Sequence, residues 1–199
     1  MTRQTRGLTA LVSLIALVFT ITACGDKKQE TSAPAGGDIQ NYGQKAEVLE
    51  AALREDPNNV GTLVQLGNTY YDWGQSEIES KGEMAQPVPK WSKAVGYYNQ
   101  ALVINPNDVN VRVDMANLMH FMGRGDEAIA EYRKAISIDP KHPQARTNLI
   151  VTLADAKQDY KGAVEAYEDL IKAIPEAGND LALKAEVQKY RDAMKGAPK

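Results

Sequence analysis

Apolar residues along this chain recur at helical rather than strand spacing, most clearly in residues 108–140, DVNVRVDMANLMHFMGRGDEAIAEYRKAISIDP. One apolar face runs through Val111, Met115, Leu118 and Met119, and a second through Ala128, Ile129, Tyr132, Ala135 and Ile136. Intervals of three and four residues put each set on one side of a helix. The Gly-Arg-Gly-Asp at 123–126 separates the two sets. Asp139-Pro140 ends the second, because proline lacks the amide that an interior helical turn requires. The spacing predicts a two-helix hairpin. Such a hairpin leaves one apolar face uncovered, so neighbours of the same kind are needed.

The pattern repeats. Pro106 stands 34 residues before Pro140, ALVINP aligns with AISIDP, Tyr98 with Tyr132 and Ala94 with Ala128. Upstream, LVQLGNTYYDWGQ aligns with RVDMANLMHFMGR, which sets Gly74 on Gly123; downstream, AVEAYEDLIKAIP aligns with AIAEYRKAISIDP. ALREDPNN aligns with ALVINPND. A 34-residue period with small residues at fixed places and a proline stop resembles the tetratricopeptide repeat (TPR) family, over roughly residues 40–195.

That resemblance implies an all-α solenoid, a right-handed superhelix of helix hairpins with about three repeats. A capping segment spans 39–59, repeat one 60–108, repeat two 109–142, repeat three 143–177 and a final capping helix 180–195. Leu63, Leu66, Gly67 and Tyr70 fit the family's packing positions. Gly67 and Ala116 stand where two helices approach closely, and Ile150 takes that place in repeat three. Ala46, Leu49 and Leu53 form the apolar face of the first cap, and Leu181, Leu183, Val187 and Tyr190 are available to the last. Repeat one departs from the period: Pro57 to Pro106 is 49 residues, 15 more than 34, which places an insertion near 76–92. Pro87 and Pro89 are excluded from a helix interior. Residues 77–83 are expected to prolong the first helix, with a Pro-rich loop following and Trp91 opening the second. Two readings of the insertion stay open: a longer hairpin closed on itself through Trp73 and Trp91, or a contact surface for a partner.

The N-terminus has a different character. Arg3 and Arg6 precede an uncharged apolar run, 8–21, and then Ile21-Thr22-Ala23-Cys24. This is the layout of an export signal, too short in its apolar core to span a bilayer as a helix. ITAC resembles the lipobox of bacterial lipoproteins, which implies cleavage after residue 23 and lipidation of Cys24. Cys24 is the one cysteine in the chain, so it has no intramolecular disulfide partner. Residues 24–38, rich in Gly, Ser, Pro and charge, read as a flexible tether. Gly25 follows Cys24, which favours the outer of two membranes, with the domain facing the periplasm of a bacterial envelope. The formal charge of −3 comes from 23 basic and 26 acidic side chains. Loss of Arg3 and Arg6 with the signal leaves 21 against 26, or −5. No basic stripe indicates nucleic acid as a partner.

Catalytic signatures are absent. His120 and His142 are the only histidines, and no HExxH, GxSxG, P-loop or GxGxxG pattern occurs. Neither an enzymatic role, nor a cofactor, nor a metal is expected. A TPR array offers its concave face instead, lined by first helices. The family's exposed positions map here to Val64, Gln65, Asn68, Tyr71 and Asp72 in repeat one. In repeat two they map to Asn110, Val113, Asp114, Asn117, His120 and Phe121, and in repeat three to Gln144, Thr147, Asn148, Val151 and Asp155. Asn68, Tyr71, Asp72, Asp114, Asn117, His120, Phe121 and Asn148 are the candidate groove residues for a peptide or protein ligand. Amides can bond a ligand's backbone, and the aromatics offer rigid apolar area. The TPR subset that grips a C-terminal carboxylate has lysine where this chain has Val64. Arg112 and Arg146 occupy a usually apolar fourth position; they either pair internally with an acid such as Asp114 or form a basic ladder for an acidic partner. The run LEAALREDPNN with LVQLGNTYYDWGQ is also similar to TPR domains of c-type cytochrome maturation factors. The expected role is a non-enzymatic envelope scaffold or assembly factor. An outer-membrane assembly or pilotin-type lipoprotein, serving barrels, secretins or type IV pili, is the alternative.

Overall fold

A computed structural model describes residues 39–82 and 85–196. The signal segment, Cys24 and the tether lie outside the described residues. The described residues form eight α-helices: α1 (Ile39–Glu55), α2 (Val60–Lys81), α3 (Val88–Ile104), α4 (Val109–Phe121), α5 (Gly125–Ile138), α6 (Pro143–Lys157), α7 (Tyr160–Ala173) and α8 (Leu181–Gly196). A 3₁₀ turn, Pro175–Asn179, joins the last two. Each helix packs on the next in sequence, and α4 also touches α6. The result is a TPR solenoid: hairpins α2/α3, α4/α5 and α6/α7, with α1 and α8 at the ends.

The proline stops do two jobs. Two residues after Pro57, Pro106 and Pro140 stand Asn59, Asp108 and His142, and each caps the following helix. The side chains accept from the amides of Thr62 (3.0 Å), Val111 (3.1 Å) and Ala145 (3.2 Å, at Nδ1). A cap of this kind stabilises a helix by about 1 kcal/mol, because it satisfies an amide that would otherwise lack a partner. The hairpin turn in repeat two needs Gly123, whose φ is +77°.

One apolar core runs through the stack, and it includes Leu63, Leu66, Tyr98, Leu118, Tyr132, Ile150, Leu170 and Val187. Gly67 lies under the Tyr98 ring, where a Cβ would come within 2.3 Å of Cε1. Repeats two and three hold Ala116 and Ile150 at this place, both fully buried. At the ends, Ala46 of α1 and Leu183, Val187 and Tyr190 of α8 are buried. Leu181 is 79 % exposed, because as the first residue of α8 it precedes the packed face.

Repeat one is longer because α2 continues for about two turns beyond the point where α4 ends. Gly74 therefore sits inside a helix, although its aligned partner Gly123 ends one. A Cβ on Gly74 would meet the Trp91 indole at 2.4 Å, so glycine is required for the close approach of α3. Trp91 is buried. Below it the buried Glu77 accepts from Lys81 (3.0 Å) and Lys90 (2.9 Å), and Lys90 lies 5.5 Å from the Trp73 ring centre. Helix α3 begins at Val88, three residues before Trp91. Pro89 is tolerated there because the first turn has no amide partner to lose.

At the N-terminal end, Glu50 of α1 accepts from Tyr70 (2.8 Å) and Tyr97 (3.0 Å), and the two rings stack at 5.8 Å. Lys93 donates to the Tyr70 hydroxyl at 2.9 Å. Helix α1 is thereby tied to both helices of the first hairpin.

Candidate functional site

The first helices α2, α4 and α6, with α8 beyond them, present one shared inner face. Its polar order begins with asparagine. In repeat one the Tyr98 hydroxyl donates to Asn68 Oδ1 at 2.7 Å; in repeat two Tyr132 donates to Asn117 Oδ1 at 2.6 Å. Asn148 Nδ2 donates to the same Asn117 oxygen at 2.7 Å, which links α4 to α6. Repeat three has Val151 at the ninth position and no such rung. Its tyrosine, Tyr167, lies beneath the Arg191 guanidinium at 6.0 Å instead. Asn68 and Asn117 thus spend their acceptor oxygens inside the array, and their amide nitrogens remain for a ligand.

Charge on this face is negative. Asp72, Asp114 and Asp155 sit on successive first helices. Burial raises each carboxyl above its ordinary pKa, opposed at Asp72 by Lys45. At Asp114, burial together with Asp108 and Asp72 pushes the value up to about 6. Burial lowers the pKa of His120, and the Asp155 charge opposes that shift. The Tyr71 phenol is raised by burial and by Asp114 and Asp72. These couplings connect Tyr71, Asp72 and Asp114 at one end of the face, and His120 and Asp155 at the other.

Aromatic surface adjoins His120 and Asp155. Phe121 is 54 % exposed at the end of α4, with its ring 5.8 Å from Trp91 and 5.7 Å from His120. The buried His120 Nδ1 has no hydrogen-bond partner. Toward α8, a cavity of about 470 Å³ is lined by Asp155, Gln158, Tyr160, Glu186 and Tyr190, among others. Tyr160 and Tyr190 stack at 5.7 Å there, and Gln158 takes a left-handed conformation, φ +52°.

Two expectations for this face change. Val113 is buried rather than exposed, because its side chain joins the core between α4 and its neighbours. Arg112 takes the internal pairing of the two readings, with Glu131 of α5 as the acid in place of Asp114, and donates to the Pro106 carbonyl at 2.6 Å. Arg146 repeats the second bond, to the Pro140 carbonyl at 2.6 Å. The two arginines brace the proline stops from within. Sequence reasoning also missed the Tyr160–Tyr190 cavity, because its walls come from three helices of unequal register. Among the described residues, no group of three or more His, Cys, Asp or Glu side chains is placed to hold a metal ion, and no helix is long and apolar enough to cross a membrane.

The fold is an all-helical TPR solenoid, and comparisons with known proteins agree at that level. Residues 110–142 match the family model described as Tetratricopeptide repeat. The chain is 32 % identical over 124 residues to a heat-shock protein cognate co-chaperone, sgt12, of Aspergillus fumigatus, covering 61 % of this chain and 36 % of that protein. It is 26 % identical over 161 residues to the Hsp70-Hsp90 organizing protein of Triticum aestivum, covering 75 % and 27 %. This chain therefore spans about a third of the length of these curated relatives. Among solved structures, MamA superposes with a TM-score of 0.56 at 21 % identity, covering 76 % of this chain and 85 % of that one. The first TPR of Spaghetti (RPAP3), bound to the HSP90 peptide SRMEEVD, superposes with a TM-score of 0.50 at 15 % identity, covering 67 % and 98 %. These likenesses show the fold.

Proposed function

We propose that this chain is a non-enzymatic scaffold whose inner face binds a segment of a partner protein, and that it does so from a lipid anchor at Cys24 in a bacterial envelope. The observation that carries the binding reading is Phe121. A half-exposed aromatic ring, braced by Trp91 and flanked by His120, stands on the face formed by rigid first helices. Exposed aromatic area held at low entropy cost is what a docking segment needs. The relative named as a co-chaperone, and the TPR domain solved with a bound peptide, support a peptide-binding role. The anchor reading is supported by the sequence of residues 1–24 alone. Within that setting, maturation of c-type cytochromes is the finer reading, supported by the similarity of the first repeat to those factors.

Photo-crosslinking in native membranes tests the binding face. Probes at Tyr71 and His120 are expected to capture a discrete protein that a probe at the exposed Lys134 does not. Equal capture from all three positions overturns the proposal. The anchor is tested apart from it: Cys24→Ser is expected to release the chain from membranes, and retention through a high-salt wash would refute lipidation.

A further inference from the structure

Many acidic side chains on the array have cationic partners close by, while others among the described residues, such as Glu47, Glu55, Glu79 and Glu176, form no ion pair. Glu127 pairs with Arg124 (2.6 Å), Asp126 with Lys157 (2.8 Å), Asp169 with Lys172 (3.1 Å) and Asp192 with Lys195 (3.1 Å). The inner face gathers three more of the second kind. Among the described residues, Asp72, Asp114 and Asp155 form no ion pair and sit on the first helices α2, α4 and α6. Lys45 is near enough to Asp72 to lower its pKa without bonding it, and Lys189 at the far end is held by Glu186 at 2.7 Å. Spread over three helices, these carboxylates suit an extended ligand that carries its cations at intervals.

The aromatic surfaces fit the same ligand. Phe121 and the stacked Tyr160–Tyr190 pair, which walls the cavity with Asp155 and Glu186, can cover the aliphatic stems of Lys or Arg and attract their charged ends. Asp114 is partly buried and so is screened less than the exposed Asp72 and Asp155, and a cation delivered to it gains more than one at the rim. From the negative charge of this face and the aromatic rings on it, we infer that the occupant is a basic segment of a partner protein, with Lys or Arg side chains directed to Asp72, Asp114 and Asp155. This rests on the proposal that the inner face is the binding face. It sets the chain apart from the TPR solved with SRMEEVD, a peptide with two Glu and an Asp.

The test uses the full chain and three short fluorescein-labelled peptides: one alternating Lys and Leu, a twin with Glu for Lys, and a twin with Ser for Lys. Fluorescence anisotropy is expected to rank the Lys peptide tightest, with affinity falling as salt is raised. The pair Asp114→Asn and Asp155→Asn should weaken it about tenfold, while Glu165→Gln with Asp169→Asn, which removes equal charge from the outer side, leaves it unchanged. Asp155 is exposed, so Asp155→Asn alone serves if the pair fails to fold. Equal binding of the three peptides overturns the inference, as does equal loss from the outer pair. If Phe121→Ala weakens all three peptides alike, the binding face stands and the charge preference falls. If the Lys peptide does not bind while Tyr71 still crosslinks above Lys134, the charge preference again falls alone.

Discussion

Asp114 combines the two properties that matter on the inner face, partial burial and the lack of a cation. It is faced by Asp72 and Tyr71 of α2, by Asp108 at the start of its own helix, and by Tyr98 and Tyr132 of the second helices. Its pKa rises from 3.8 to about 6, so between those values the folded chain holds a proton that the unfolded chain releases. Stability from this group is therefore present at low pH and is lost as pH rises through 6. Asp114→Asn should raise the melting temperature at pH 7.5, by an amount equivalent to roughly 1–2 kcal/mol after allowance for solvent screening. The gain should shrink to nothing near pH 4. A lower melting temperature at pH 7.5 would show instead that the carboxylate has a favourable partner. That Asn68 and Asn117 hold equivalent places was legible, since aligning LVQLGNTYYDWGQ with RVDMANLMHFMGR sets one against the other across 49 residues. Their bonding was not, because each oxygen is taken by a tyrosine thirty or fifteen residues later in the chain.

At the scale of elements, repeat one shows how a sequence period can hide a longer helix. The stops and the core positions of the hairpins follow from apolar spacing and proline, and they were legible. The continuation of α2 through residues 75–81 agrees with the expectation that 77–83 prolong the first helix; what no local pattern announces is the set of contacts that hold it, Trp91 seated on Gly74 and Glu77 buried between two lysines. Burial raises the Glu77 pKa, but the hydrogen bonds from Lys90 and Lys81 outweigh it and hold the group below its ordinary value. Its contribution is thus present above the unfolded pKa of 4.5 and is lost as pH falls through the lower folded value. Glu77→Gln should destabilise the chain by about 3 kcal/mol at neutral pH, because it leaves Lys90 partly buried and without its counter-charge. Amide exchange should quicken first at the end of α2 and the start of α3. Exchange that rises evenly along the array would argue that the insertion is not held by this pair.

Across the array of residues 39–196, contacts run between consecutive helices, so its stability is close to a sum of hairpins and their shared surfaces. Its two ends are secured unequally. Helix α1 is fastened by Glu50 to two tyrosines and flanked by the Tyr70–Trp73 and Tyr70–Tyr97 stacks. Helix α8 depends on the apolar contacts of Leu183, Val187 and Tyr190, reinforced by an Arg191–Glu168 pair at 3.6 Å between partly exposed side chains. Exposed pairs of that kind contribute little, so burial of Val187 decides whether α8 stays docked. Val187→Asp places a charge at a fully buried site with no cation to meet it. In a nearest-neighbour stack the damage should stay local: α8 and the end of α7 lose hydrogen-exchange protection, while α2 to α5 keep theirs. The cavity walled by Tyr160 and Tyr190 disappears with α8, which makes the same variant a probe of function. If the basic segment extends across the whole inner face, Val187→Asp should weaken the Lys peptide while crosslinking from Tyr71 persists. Loss of protection throughout α2–α5 would show that the array unfolds as one unit and that its ends are not independent.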